Sequence, residues 1–224
     1  MPSAGVVPRA IRLYLLNPKT HWAYIPMFLH AIHIIRQSLE DYLNGLGTAT
    51  DDQVLIGNVA VQDDDAYSPT VRDRIVITLV RMQEEQTLKN RPAGTRNMAT
   101  GRMEYHNPPL ALNIYLLFTV NSNDYSNALT YLSRLMRFFQ KTNRFDPSNS
   151  PVIPESQVSA IDRMADFRIV ADLYSPTFEE QNHLWSILGS KQLPSVLYRL
   201  RIVELEDRQL SASGPLIEEI NIES

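Results

Sequence analysis

The chain contains no cysteine. That excludes disulfide staples, thiolate nucleophiles and every zinc or iron–sulfur site built on Cys, and it suits a reducing compartment. Glycine is scarce, at 8 in 224 residues, and the glycine-rich phosphate cradles G-x-G-x-x-G and G-x-x-x-x-G-K-[ST] are missing. G-x-S-x-G and H-E-x-x-H are missing too, so the common signatures of serine hydrolases and zinc proteases do not occur. No excess of one charge exists: Lys+Arg 21 against Asp+Glu 25 leaves a formal net charge of -4. The chain as a whole therefore carries no electrostatic footprint for nucleic acid. Nor is there a long hydrophobic run. The longest, Tyr24 to Ile35, is interrupted by Pro26, His30 and His33 and is too short to cross a bilayer. The N-terminus lacks the apolar h-region and cleavage site of a secretory signal. A soluble, cytoplasmic protein is expected.

What is present is ordinary globular material. Hydrophobic residues make up 44% and charged residues 21%, in a length that fits one large domain with a full core. Residues 1–20 read as an arm, in which Pro2, Pro8 and Pro18 flank "AIRLYLL" and Ile11, Leu13 and Leu15 alternate as on a strand. After Pro26, a helix is predicted from the stripe Phe28, Ala31, Ile32, Ile35, Leu39, Tyr42 and Leu43, stopped at Gly45 and Gly47. "QVLIGNVAV" (53–61) and "RIVITLVRM" (74–82) read as strands. "LALNIYLLFTV" (110–120) is apolar on both faces and belongs mid-sheet. The run 74–120 reads as an antiparallel hairpin whose long irregular tip, 89–109, carries Lys89, Arg91, Arg96 and Arg102.

A second helix is predicted over 121–140, with Tyr125, Ala128, Leu129, Leu132, Leu135, Met136 and Phe139 buried and Ser122 or Asn123 as its cap. "FRIVADL" (167–173) alternates as a strand. Thr177 and Glu180 make a capping box for a third helix ended by Gly189, and Pro194 starts a last strand lined by Val196, Tyr198, Leu200 and Ile202. The expected fold is α+β, a small, mostly antiparallel mixed sheet of about four or five strands flanked by about three helices. The expected organisation is an N-terminal extended arm (1–20), one folded domain (21–206) and a C-terminal arm (207–224) containing "IEEINI".

Candidate chemistry is thin. His30 and His33 stand at helical i, i+3 spacing, but no carboxylate shares their face, so packing or interface histidines are the better reading than a metal pair. Asp63–Asp65 lacks the alternation of a calcium loop, and Asp51 and Asp52 read as a turn. Trp185 and Tyr198 read as core. No catalytic, cofactor or metal site is expected, and the chain is read as not an enzyme. The basic tip is left as a solvated loop or a protein-docking loop; it lacks the interleaved aromatics of a single-strand nucleic-acid binder.

Several long segments carry a resemblance. "NPPLALNIYLLFTVNSNDYSNALTYLSRLMRFFQ" with "FDPSNSP" after it, then "FEEQNHLWSILGSKQLPSVLYRLRIVEL", and before them "VLIGNVAV" and "IVITLVRMQEEQTLKN", resemble the cap, or tail-terminator, protein of phage-tail-like contractile injection systems. That family carries a domain long catalogued as of unknown function, and the resemblance covers about residues 27–206. It implies a phage tail-terminator-like domain that assembles as a homo-hexameric ring. The ring would seal the particle at the end distal to the baseplate, with sheath and inner-tube subunits as partners. It implies assembly in the bacterial cytoplasm and inclusion in a particle that is either released on lysis or anchored inside the cell, without small-molecule substrate, cofactor or membrane insertion. Contact residues are then expected in the arms and on the basic tip: Ile11, Arg12, Leu13, Tyr14 and Leu15; Lys89, Arg91, Arg96 and Arg102; and Ile217, Ile220 and Ile222. The alternatives are an adaptor ring beneath a separate terminal cap, or a nucleic-acid-binding module using the 89–102 loop.

Overall fold

The computed structural model describes residues 27–47, 52–62, 68–85, 94–96, 103–106, 111–164, 166–204 and 210–214. The first apolar stripe folds as helix α1, Met27–Gly45, and buries Ala31, Ile32, Ile35, Leu39 and Leu43 as its spacing predicts. The chain turns after it through Gly47, at φ 71°, a left-handed conformation that glycine adopts without steric cost.

Strand β1, Val54–Ile56, follows, then a single helical turn α2, Ser68–Val71, and strand β2, Ile75–Glu84. Short strands β3, Gly94–Arg96, and β4, Met103–His106, precede β5, Ala111–Val120. Helix α3, Tyr125–Lys141, leads to β6, Arg144–Phe145, and β7, Phe167–Tyr174. Helix α4, Phe178–Leu188, then precedes β8, Ser195–Glu204, and β9, Leu210–Gly214. The main sheet has six strands in the order β1-β2-β5-β8-β7-β6. Its β1–β2 pair is parallel and the rest antiparallel.

The class matches expectation, while the strand count exceeds it. A second sheet of three strands, β3-β4-β9, is built partly from the tip read as irregular and partly from the segment read as an arm. The missed strands are short or, in β9 "LSASG", made of small polar residues, so neither periodicity nor β-propensity marks them. Four helices stand where about three were expected, because α2 is a four-residue turn.

Every residue of β5 is buried, which follows from its central place. One face, with Ile114, Leu116 and Phe118, packs under α1 and α3. The other face, with Tyr115 and Leu117, packs with Val59, Leu197 and Trp185 of α4. Helix α3 is capped by Asp124, whose side chain accepts from the Ser126 N–H at 2.9 Å, rather than by Ser122 or Asn123. Ser122 is engaged elsewhere, its hydroxyl donating to the Asp73 carboxylate. Its buried face is narrower than predicted: Ala128, Leu132, Leu135, Phe138 and Phe139 are covered, whereas Tyr125, Leu129 and Met136 are exposed. A helix lying on a sheet covers only the arc that faces it, and these three lie at one margin of that arc.

Helix α1 runs from one margin of the sheet to the other. Near its start, the His30 ring meets Phe167 of β7 edge-on, with centroids 5.8 Å apart. Towards its end, the buried Glu40 carboxylate accepts from the N–H groups of Gln53 at 2.9 Å and Val54 at 2.8 Å. That carboxylate ties β1 to the helix and completes the edge of the sheet.

Candidate assembly surface

Among the described residues no group of His, Asp and Glu is arranged to hold a metal ion. The His30–His33 pair is used otherwise: His30 Nδ1 accepts from the Met164 N–H at 3.0 Å. Burial, and then the neighbouring Arg163 and His33, push the His30 pKa below its ordinary value. Burial and Arg36 do the same for His33, against a smaller opposing hydrogen bond from Gln157. Both rings are therefore held neutral as packing groups. A groove of about 270 Å³ opens between the α4 side and the ends of β7 and β8. Its lining includes Met136, Leu173, Leu184, Trp185 and Val196, and among the described residues it holds no carboxylate, histidine or cation. Such a lining suits apolar contact rather than acid–base or nucleophilic chemistry.

The sheet's margins are the more informative feature. Edge strands present unpaired N–H and C=O groups, and soluble proteins commonly blunt them by keeping them short. Here β1 pairs only Ile75–Ile77 of β2, and β6 pairs only Ile169 and Val170 of β7. Beyond Ile77, β2 continues to Glu84, and it bears two exposed apolar side chains, Leu79 and Met82, at 36% and 49% exposure. At the other margin Leu173 of β7 is half exposed. On α4, Phe178 and Ile187 stand 93% and 84% exposed.

Of the residues predicted for contacts, Arg96 ends β3 and pairs in register with Met103 of β4. Ile11, Arg12, Leu13, Tyr14, Leu15, Lys89, Arg91, Arg102, Ile217, Ile220 and Ile222 lie outside the described residues. Sequence reasoning missed Leu79 and Met82 as surface residues because "RIVITLVRM" is apolar throughout. The only signal was its polar continuation, "QEE", which marks the strand as leaving the core.

The lower half of the α4-side face is polar. Asp172 of β7 receives Arg199 at 3.3 Å and Arg201 at 3.0 Å, both from β8. Arg81 of β2 lies over the Tyr115 ring at 5.7 Å, and Tyr115 meets Tyr174 edge-on at 5.2 Å. These groups rigidify adjacent strands. The two ion pairs are part exposed and contribute little to net stability.

Solved structures share this α+β sheet topology. The structure described as the sheath/tube terminator of PVC, an extracellular contractile injection system, in its extended state, matches with a TM-score of 0.50 at 15% identity. The match covers 86% of this chain and 63% of that one. The tube-terminating cap of the anti-feeding prophage matches at 12% identity and a TM-score of 0.49, over 87% of this chain and 60% of that one. The chain thus spans less than two thirds of the length of either structure. No curated protein matches it. The family model for the Pvc16 N-terminal domain matches residues 30–219, and the chain belongs to that family. The match runs past residue 206 and takes in β9, which the sequence reading had placed in the C-terminal arm.

Proposed function

We propose that the chain is the structural cap, or tail terminator, of a contractile injection system. On this reading six copies close a ring that ends the inner tube and the sheath at the end distal to the baseplate, and no catalysis is involved. Family membership across residues 30–219 carries the proposal. A terminator must satisfy the last ring of a growing tail on one side and offer nothing to the next ring on the other. A rigid sheet domain with short outer strands fits that task. The α4–β8 corner adds stiffness: the Thr177–Glu180 capping box opens α4 and Gly189, at φ 66°, closes it. Small angular errors per subunit accumulate around a ring, so stiffness favours closure. The basic residues Lys89, Arg91, Arg96 and Arg102 and the two terminal arms are the proposed contacts to sheath, tube and neighbouring copies.

The test is the mass of the full chain in solution with negative-stain images of the same sample, followed by particles produced without it. Hexamers, together with tails of uncontrolled length when the chain is missing, are expected. Tails of normal length and stability in its absence would sink the terminator reading. A label found beneath a further cap would make the chain an adaptor ring instead.

A further inference from the structure

The outer edge of β2 has a defined hydrogen-bonding polarity. Gln83 pairs with Asn113 in register, and the Glu85 N–H reaches the Ala111 carbonyl at 2.8 Å. In an antiparallel ladder such pairs alternate with pairs whose N–H and C=O turn away. Met82 is therefore an outward-turned position. Leu79 is another, since Ile75 and Ile77, four and two residues before it, use their outward groups on Gln53 and Gly57. A bulge between Leu79 and Arg81 separates the two. Beyond Ile77, no strand among the described residues pairs with this edge. An open hollow of about 470 Å³, lined by Arg81, Gln83, Glu84 and Glu85, lies beside it. The edge thus offers outward backbone groups and two exposed apolar side chains, with an acidic pair at its end.

We propose that this edge of β2 is the acceptor for a strand formed by residues 11–15 of a neighbouring copy of the same chain. This inference rests on the ring reading and names its subunit contact. The segment alternates Ile11, Leu13 and Leu15 with Arg12 and Tyr14, so one face supplies apolar cross-strand partners for Leu79 and Met82.

The placement of α1 sets the donor's exit and the acceptor on different margins, as a contact between two copies requires. The chain enters α1 at Met27, three residues before His30 at the β7 margin, whereas the acceptor lies at the β1–β2 margin on the opposite side of the sheet. Donor exit and acceptor on opposite margins define a head-to-tail contact, the kind that closes rings. Eleven residues lie between Leu15 and Met27, enough to reach about 40 Å when extended. That reach also covers the three strand spacings, about 14 Å, from β7 to the chain's own β2, so the cross-linking test below separates pairing between copies from pairing within one.

The cysteine-free chain makes the test direct. Ile11→Cys, Leu13→Cys and Leu15→Cys are each made in one full-length chain and Met82→Cys in another, then the chains are co-assembled and oxidised. Directly opposed residues on paired strands stand about 4.5–5.5 Å apart at Cα, within disulfide reach. At least one of the three registers should give a mixed-chain dimer about tenfold above a Tyr125→Cys control. A double variant that instead cross-links within one chain would overturn the second-copy assignment. Multimers by mass with no cross-link in any register would overturn this acceptor and leave the ring reading standing. A chain that stays monomeric under all assembly conditions would defeat the ring reading and this inference with it. Independently, Met82→Pro removes the outward N–H while sparing the β2–β5 ladder. It should abolish multimers with the melting temperature nearly kept. Should that variant not fold, Met82→Lys serves the same purpose, and multimers that survive either folded variant overturn the proposal.

Discussion

Replacing Glu40 by alanine should loosen the edge of the sheet without touching its hydrophobic core. The carboxylate is 6% exposed and accepts two backbone hydrogen bonds, from Gln53 at 2.9 Å and Val54 at 2.8 Å. Hydrogen bonds to a charged group contribute roughly 1.5–3 kcal/mol each, and a buried N–H left without a partner costs about 1–3 kcal/mol. Removing the carboxylate also removes the cost of burying it, so the two effects partly offset. The net loss is then about 2–4 kcal/mol. In a chain of this size that lowers the melting temperature by about 4–16 °C. Glu40→Gln keeps one acceptor but turns an NH2 group towards the second donor, so it should lose roughly half as much. Thermal unfolding gives the magnitude, and amide hydrogen exchange at Val54–Ile56 gives the location. A fall of under about 2 °C for Glu40→Ala, with exchange at those amides unchanged, would refute the claim that this carboxylate holds β1 in place.

Stability should fall as pH drops below about 6.5, because His30 and His33 have folded pKa values below the ordinary one. The unfolded chain then takes up protons that the folded one resists, and the loss levels off once the buried rings protonate. A His30→Asn, His33→Asn double variant, which keeps an acceptor opposite the Met164 N–H, should flatten this profile between pH 7.5 and 5.5; an unchanged slope would place its origin elsewhere. Gly189→Ala forces a side chain into the left-handed conformation at φ 66°. It should cost about 1 kcal/mol in chemical denaturation, and Thr177→Ala, which removes the α4 cap, should cost about the same. Deleting residues 1–20 should leave the melting temperature unchanged and abolish multimers in sedimentation; an unfolded product would place that segment in the core.

Long elements with strong period were legible in the sequence. Those of α1 and β5 follow from apolar spacing, and the α4 caps from Thr177, Glu180 and Gly189. What escaped was set by tertiary context. β6 is too short to show a period, and it exists because the β7 backbone offers it a partner. Tyr125, Leu129 and Met136 fit the same helical stripe as Leu132 and Leu135, yet they lie at one margin of the arc that faces the sheet and stay exposed. The candidate contacts were harder still. A surface that binds another copy is apolar by design, so its residues look like core until the fold shows which side of a strand they occupy.

That ambiguity is what makes the β2 margin informative. A long strand edge that no described strand covers, with Leu79 and Met82 exposed, is an aggregation hazard unless something else covers it. A head-to-tail contact through such an edge has two outcomes, a closed ring or an open filament, and the rotation between neighbours selects one. Short outer strands alone would prevent both. Among the described residues β1 covers only Ile75–Ile77 of β2 and β6 only Ile169 and Val170 of β7. Each margin thus keeps an unpaired stretch, and the β2 stretch carries two exposed apolar side chains, Leu79 and Met82. On the proposed reading, an arm that leaves from the β7 margin and pairs at the β2 margin joins copies in one direction. Such directional joining, with a stiff α4–β8 corner, would give the proposed ring a fixed size. That is the property a tail terminator needs and an unpolarised sheet edge cannot provide.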